Sequence, residues 1–210
     1  MKPQPVHLGT PLDDHTEEIQ RAEIYGLLAA LFIAPPSAEL LGQMQVAPTE
    51  APSAGGFLET SWGELVAAAR RTSAASAAVE YDALFQGIGK PEIFLYASYH
   101  KAGAINDQPL VALRDDLAAL GLARETAVSE TEDHIAFLCE VMRYLIAGDD
   151  PVAGSLPSQK RFHAAHIAGW VDAFCDQIAT HPKADFYRAV ALFAHDFFAV
   201  EQQGFDLLDA

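Results

Sequence analysis

The stretch Ser129–Gly148, SETEDHIAFLCEVMRYLIAG, decides how this chain is read. From Ile135 on it is almost purely apolar, and a run of that length at helical periodicity reads as a helix rather than a strand. Its leading turn holds Glu130, Glu132, Asp133 and His134. Ser129 and Glu132 stand at the S-x-x-E spacing of a capping box, so the spacing predicts one helix over the whole stretch. The acids complement the positive end of the helix dipole. His134 has no such reason to be there, because a protonated imidazole is disfavoured at a helix N-terminus. The expectation is a mainly neutral His134 that gives one hydrogen bond and accepts another. Adjacent helical residues point about 100° apart, so Asp133 and His134 make no dyad with each other and suit two different neighbours. Capping, plus a polar contact to the long loop upstream, accounts for the pair more simply than catalysis does.

The same periodicity runs outward along the chain, and no strand run interrupts it. A first helix spans about Asp14 to Ala34 and ends at Pro35-Pro36. Ser37 caps a short helix, AELLGQMQ. After the Pro/Gly/Ala loop at 46–56, one or two helices cover Ser61 to Phe85, with a break near RRTSAAS. Gln86–Ala104, QGIGKPEIFLYASYHKAGA, is a long irregular connection. Loops of this length are uncommon and often functional, and here Ile93, Phe94, Tyr96 and Tyr99 can also pack it down. Asn106 is placed to cap the next helix, which Gly121 stops. Helices over about Ser158–Thr180 and Lys183–Gln203 complete the chain. The expected fold is all-α, a single-domain bundle of roughly eight helices over residues 1–210, with a flexible N-terminus at 1–13.

Composition narrows the classes. The chain has 210 residues, 50% of them hydrophobic and 20% charged, which is globular and long enough for a full core. Its formal net charge of −16 argues against a nucleic-acid partner and favours a cationic one. The two cysteines, Cys139 and Cys175, lie inside apolar helical patterns and read as reduced core thiols. The N-terminus lacks the apolar segment of a secretory signal. The longest apolar run, Ile24–Ala34, is too short to span a bilayer. The expectation is a soluble cytoplasmic protein without stable membrane insertion.

Chemistry finds few footholds. A di-iron bundle site needs Glu-x-x-His motifs, and none of the eight histidines has Glu three residues before it. His163 and His166 lie one turn apart without carboxylate or thiolate companions at helical spacing, which suits a partly exposed helix face. There is no G-x-S-x-G elbow, and Cys139 points about 140° away from His134 on a helix. GIGKPE superficially resembles a Walker loop but lacks its spacing and its following helix. No cofactor, metal or catalytic residue is expected. A small helical metalloprotein or enzyme built on Asp133, His134, His163 and His166 is the rival reading.

Taken in order, these segments resemble the TorD/DmsD family of cytoplasmic redox-enzyme maturation chaperones. RAEIYGLLAALFIAPPSAELL is similar to the family's opening helix, EYDALFQG to its aromatic-x-x-Leu-Phe-x-Gly segment, and LYASYHKAG to the aromatic-x-Ser turn that follows. PLVALRDDLAALGL, ETEDHIAFLCEVMRYL and DFYRAVALFA resemble the Leu-Arg helix, the Glu-Pro-x-Asp-His hinge with its helix, and the closing Phe-Tyr helix. The resemblance covers about Arg21 to Ala199. It implies an all-helical protein that is not an enzyme. Such a protein binds the twin-arginine signal peptide, and in some members the body, of a molybdopterin-containing oxidoreductase, assists cofactor insertion, and delays export until maturation. Nitrate-reductase-type members serve a client that is not exported. Weak guanine-nucleotide binding is also implied, and monomer and domain-swapped dimer both remain open, with Gly148–Pro157 as the hinge for swapping.

Position by position, the resemblance implies that Tyr81, Leu84 and Phe85, then Tyr96 and Ser98, then Asp133 and His134 bind the signal peptide. A leader with a cationic start and an apolar middle needs acids beside an apolar groove. Asp133 would pair with its arginines and the aromatics would pack on its apolar part. For Leu84 and Phe85 plain core is an equal alternative. The chain departs from the family at Thr131, where the hinge usually has proline. Threonine keeps the capping logic but relaxes the entry to the helix.

Overall fold

The computed structural model describes residues 14–49, 57–87, 89–124, 129–148 and 150–209. The flexible N-terminus expected at 1–13 and most of the loop at 46–56 lie outside the described residues. Among the described residues there are ten α-helices, one π-helical turn, one 3-10 turn and no strand. The bundle is thus all-α, with more and shorter helices than the periodicity suggested. α1 (Asp14–Ile33) matches its expected span, and the chain's contacts gather into two compact units that divide α1 after Gln20.

One unit holds Ala34–Ile93 and Asp172–Ala210 with the start of α1. Ser37 caps α2 (Ala38–Gln45) as expected, its hydroxyl accepting the Leu40 N–H at 3.1 Å. α3 (Glu59–Arg71) and α4 (Ala74–Tyr81) are parted by extended Thr72, and a Ser73–Ser76 capping box starts α4. The C-terminal ends of α2 and α3 satisfy each other. Gln45 donates to the Ala69 and Thr72 carbonyls, while Arg70 donates to those of Gln45 and Ala47. α4 continues into a π-helical turn (Asp82–Gln86) that closes at Gly87, whose φ of 57° suits glycine. A Cβ there would meet the Lys90 carbonyl oxygen at 2.3 Å. α10 (Phe186–Asp206) supplies much of this core. Phe186, Tyr187, Phe193, Phe197 and Phe198 are all fully buried, and Phe193 packs against Trp62 of α3 at 5.5 Å.

α10 has no cap of its own, since Asp185 makes no side-chain cap bond. Glu80 on α4 does that work from a distance. Its carboxylate accepts the N–H groups of Asp185 (2.8 Å), Phe186 (3.1 Å) and Tyr187 (2.8 Å). Three orphan donors and the positive end of the dipole meet one anion.

The other unit holds Arg21–Ile33 and Phe94–Val171. It contains α5 (Ala97–Ala102), α6 (Gln108–Ala119), α7 (Ile135–Ala147) and α8 (Leu156–His166). α7 buries Ile135, Leu138, Cys139, Met142, Leu145 and Ile146, the stripe its sequence period demands. Four expectations are corrected. The Gln86–Ala104 connection contains the short helix α5. Asp107, not Asn106, caps α6, accepting the Gln108 N–H at 2.6 Å, while Asn106 turns with φ 62°. The helix expected over Ser158–Thr180 is two, α8 and α9 (Val171–Ala179). The Trp170 indole N–H binds the His166 carbonyl at 2.7 Å and closes α8. His163 and His166 are buried rather than partly exposed, and His166 Nε2 pairs with Asp116 at 2.7 Å. Gly121 does end α6. Its φ is 71°, and the Leu122 N–H reaches back to the Leu117 carbonyl in a Schellman arrangement. Both cysteines are buried and in no disulfide, and burial pushes the thiol of Cys175 up.

Glu80→Ala strips the N-terminus of α10 of its anion and leaves three donors without it. The expected cost is about 2 kcal/mol, read as a lower urea midpoint at unchanged slope. A midpoint equal to wild type would remove Glu80 from this role.

Candidate functional site

The Asp-His pair does not lie in the first turn of a helix. α7 begins at Ile135, and Ser129–His134 forms an irregular turn before it. The reason is a long-range pairing that local capping cannot compete with. The Ile135 N–H binds the Leu95 carbonyl at 2.8 Å, and the Ala97 N–H binds the Asp133 carbonyl at 2.9 Å. Tyr96 and His134 thereby form an isolated antiparallel bridge. The aromatic loop and the hinge are stapled backbone to backbone, as the expected polar contact between them requires.

Asp133 is 1% exposed. One carboxylate oxygen accepts the Ser98 N–H at 2.8 Å, in the first turn of α5, and the other accepts the Thr131 hydroxyl at 2.7 Å. A buried carboxylate is tolerated when it is hydrogen-bonded in this way. Both oxygens of the Asp133 carboxylate thus have partners inside the protein, one that holds the start of α5 and one in the hinge itself. Thr131 stands where the family has proline and supplies one of those donors, a bond proline lacks the hydroxyl to make. Ser98 is fully buried, and its hydroxyl accepts the Asn106 N–H at 3.2 Å.

His134 caps α7. Its Nδ1 accepts the Ala136 N–H at 3.2 Å, and Tyr96 meets its ring edge-on at 5.2 Å. Burial holds its pKa down to about 4, against the smaller opposing pull of Glu130 and Asp133. The imidazole is neutral at pH 7, as expected. Asp133 and His134 serve different neighbours.

Tyr96, Ser98, Asp133 and His134 are thus brought together. Tyr81, Leu84 and Phe85 belong to the other unit and are buried in its core, Tyr81 and Phe85 packing on each other and on Tyr187 at 5.1 to 5.7 Å. Their burial matches the core alternative. The rest of the loop is fixed by aromatics. Phe94 stacks on Tyr99 at 3.9 Å, and His100 stacks on Trp170 at 5.0 Å while bonding the Phe94 carbonyl.

Less buried than Asp133 are Glu130 and Glu132, on either side of Thr131. The Tyr96 hydroxyl donates to the Glu130 carboxylate. Glu132, at the motif's variable position, holds Arg114 at 2.9 Å and Arg124 at 3.6 Å. Burial alone would raise the Glu132 pKa, but the Arg114 hydrogen bond and the charges of both arginines hold it below the usual carboxylate value. Beside Glu132 opens a groove of about 510 Å³ between the end of α6 and α7, lined by Leu117, Leu122, Phe137, Val141 and Tyr144. Phe137, Val141 and Tyr144 recur at i, i+4 and i+7. The signal for them was the apolar stripe of α7, wider than one core face needs. Arg143 pairs with Glu140 on the same rim at 2.7 Å. Among the described residues no group of three or more His, Cys, Asp or Glu side chains is placed to hold a metal ion. No described helix is long and apolar enough to cross a membrane.

A family model described as nitrate reductase delta subunit matches residues 55–176. The chaperone protein TorD of Vibrio cholerae serotype O1 (strain ATCC 39541) is 26% identical over 205 residues, covering 90% of this chain and 93% of the relative. TorD from the El Tor Inaba strain is 25% identical over the same span. A crystal structure from Archaeoglobus fulgidus, assigned as a redox enzyme maturation protein, superposes with a TM-score of 0.59 at 17% identity, covering 92% of this chain and 98% of that one. That likeness is one of fold.

The His134 pKa gives a pH prediction. Between its ordinary 6.5 and about 4 the unfolded chain binds a proton that the folded chain does not. Stability therefore rises with pH through this window and is lost as pH falls through it, by up to about 3 kcal/mol. In urea titrations from pH 7 to pH 4, His134→Asn, which can still cap α7, should show a shallower fall than wild type. Parallel profiles would refute the assignment.

Proposed function

We propose, for a chain that belongs to the nitrate reductase delta subunit family, a maturation chaperone of a molybdopterin-containing oxidoreductase, acting in the cytoplasm by binding alone, with no bond made or broken. Its ligand is the client's twin-arginine leader, a peptide with a cationic start and an apolar middle. The observation that carries this reading is the juxtaposition of Glu132 with the apolar α6–α7 groove, with Glu130 two residues away beside Tyr96. An amphipathic or extended peptide needs that combination, an acid to set its register and an apolar surface for affinity. The net charge of −16 adds long-range attraction for a cationic segment. The TorD relatives are named chaperones, which supports binding over catalysis.

In this reading Asp133 and His134 shape the lip rather than touch the leader. Asp133 holds the start of α5, His134 holds the start of α7, and together they fix Tyr96 beside Glu130. The family model's description favours a second reading, a nitrate-reductase-type client that carries no exported leader. The chaperone role is common to both.

Affinity purification of the tagged protein from its own host separates them. A molybdoenzyme subunit that retains its leader supports the first reading, and a leaderless nitrate reductase subunit supports the second. Calorimetric titration with the leaders of the host's molybdoenzymes tests the chemistry. Affinity should fall several-fold as salt rises from about 0.05 M to about 0.5 M, and should weaken with Glu130→Gln. Absence of binding to every leader, or binding indifferent to salt, contradicts leader recognition.

A further inference from the structure

Gly26 sits in the middle of α1, where the backbone is ordinary helix and no positive φ calls for glycine. Glycine inside a helix is destabilising relative to alanine, so its presence here points to what lies against it. A Cβ on Gly26 would meet Cδ of Arg143 at 3.0 Å and Nε at 3.7 Å. Gly42, Gly63 and Gly204, also inside helices, would meet nothing within 4 Å. The stem of Arg143 thus lies on the α1 backbone, in the notch left by the missing side chain. Gly26 and Arg143 belong to the same compact unit. Arg143 also lines the α6–α7 groove, together with Val141 and Tyr144. Its Nε and Nη2 both donate to Oε2 of Glu140, at 2.8 and 2.7 Å. The two side chains are 52% and 43% exposed, and a pair so exposed contributes little to stability. It holds the guanidinium at the rim with its charge balanced, and leaves the aliphatic stem to cover apolar surface.

We infer that Gly26 and Arg143 set the width of the α6–α7 groove: Arg143, lowered into the Gly26 notch and tied to Glu140, is the wall against which the leader's apolar segment packs. This rests on the leader-binding reading above. Gly26 is a positioning residue, since it acts through Arg143. The occupant is a peptide whose cationic start is followed by an apolar run, because the chain carries a net charge of −16 and the groove is lined by Leu117, Phe137, Val141 and Tyr144. The stem of Arg143 meets that run with its methylenes while the paired guanidinium stays in water. A methyl group on Gly26 lifts the stem off α1 by a few tenths of an ångström or turns it aside, and the wall then stands in the space of the peptide. The same methyl group favours helix α1, so stability and binding respond in opposite directions.

The test uses the full chain and a synthetic peptide with two consecutive arginines followed by a leucine-rich segment. By calorimetry, Gly26→Ala should bind the peptide about fivefold more weakly than wild type, while its urea midpoint is no lower. Arg143→Ala should bind it about threefold more weakly, having lost the packing of the stem. In the Arg143→Ala background, Gly26→Ala should cause no further loss, a coupling that general damage to α1 would not produce. If wild type binds the peptide and Gly26→Ala binds it equally well, or if the loss persists in the Arg143→Ala background, the wall is overturned while leader binding stands. Should Gly26→Ala fail to fold, Arg143→Ala decides: a weakened affinity supports the wall and an unchanged one overturns it. If wild type binds no such peptide, leader binding falls and the wall with it. Self-association of wild type in sedimentation velocity that Gly26→Ala abolishes, at unchanged peptide affinity, would give the groove to a second copy of the chain and overturn the inference.

Discussion

The buried carboxylate of Asp133 is the constraint on which the candidate site depends. It accepts the Ser98 N–H and the Thr131 hydroxyl, while its own backbone carbonyl takes the Ala97 N–H. Two of these bonds, those to Ser98 and Ala97, join segments about 35 residues apart, and together the three set the starts of two helices, α5 and α7. Burying a carboxylate is costly without such partners, so the arrangement is close to all-or-none. Removing one partner leaves an anion in the interior, and the Leu95–Ile135 bond and the Tyr96–His134 bridge lose the register that Asp133 holds. The position of Tyr96 next to Glu130 follows from that register.

The other unit uses the same device. Glu80 caps α10 from α4, across more than a hundred residues of sequence. Asp107 caps α6 locally, and Asp150 binds the Val152 and Ala153 N–H groups in a turn. Part of the acidic composition is therefore accounted for by helix ends, which offer positive potential and orphan donors. These bonds leave the net charge of −16 in place to steer a cationic partner; at the lip, where Arg114 and Arg124 offset part of it, the acids are Glu130 and Glu132. These two sit either side of Thr131 and are less buried than Asp133.

What the sequence made legible follows the range of the forces involved. α1, α2 and α10, the α3–α4 break and the Gly121 stop rest on periodicity, caps and glycine, all local. They appear where expected to within a few residues. The start of α7 does not, because Ser129-x-x-Glu132 is a sound local cap that a backbone bridge to residues 95–97 overrides. Asn106 lost to Asp107 for a similar reason, its N–H being drawn to Ser98. At the site, Tyr96, Ser98, Asp133 and His134 were legible as a group through the family resemblance, but not in their roles. Asp133 was expected to pair with leader arginines, and the structure adds that its carboxylate is buried on Ser98 and Thr131. Glu132 and its two arginines were missed, since an ion pair between residues 18 apart leaves no periodic trace. Tyr81, Leu84 and Phe85 carry a core pattern, and burial in the core is where the structure puts them.

Under the proposed function, peptide recognition falls to the lip and groove formed by residues 96–100, 117–124 and 130–144, held in shape by Asp133. Hydrogen exchange of the full chain with and without a bound leader peptide measures this directly. Added protection is expected in residues 96–100 and along the exposed face of α7, with the amides at 81–86 unchanged. Protection gained at 81–86 alone, or none at 130–144, would contradict it.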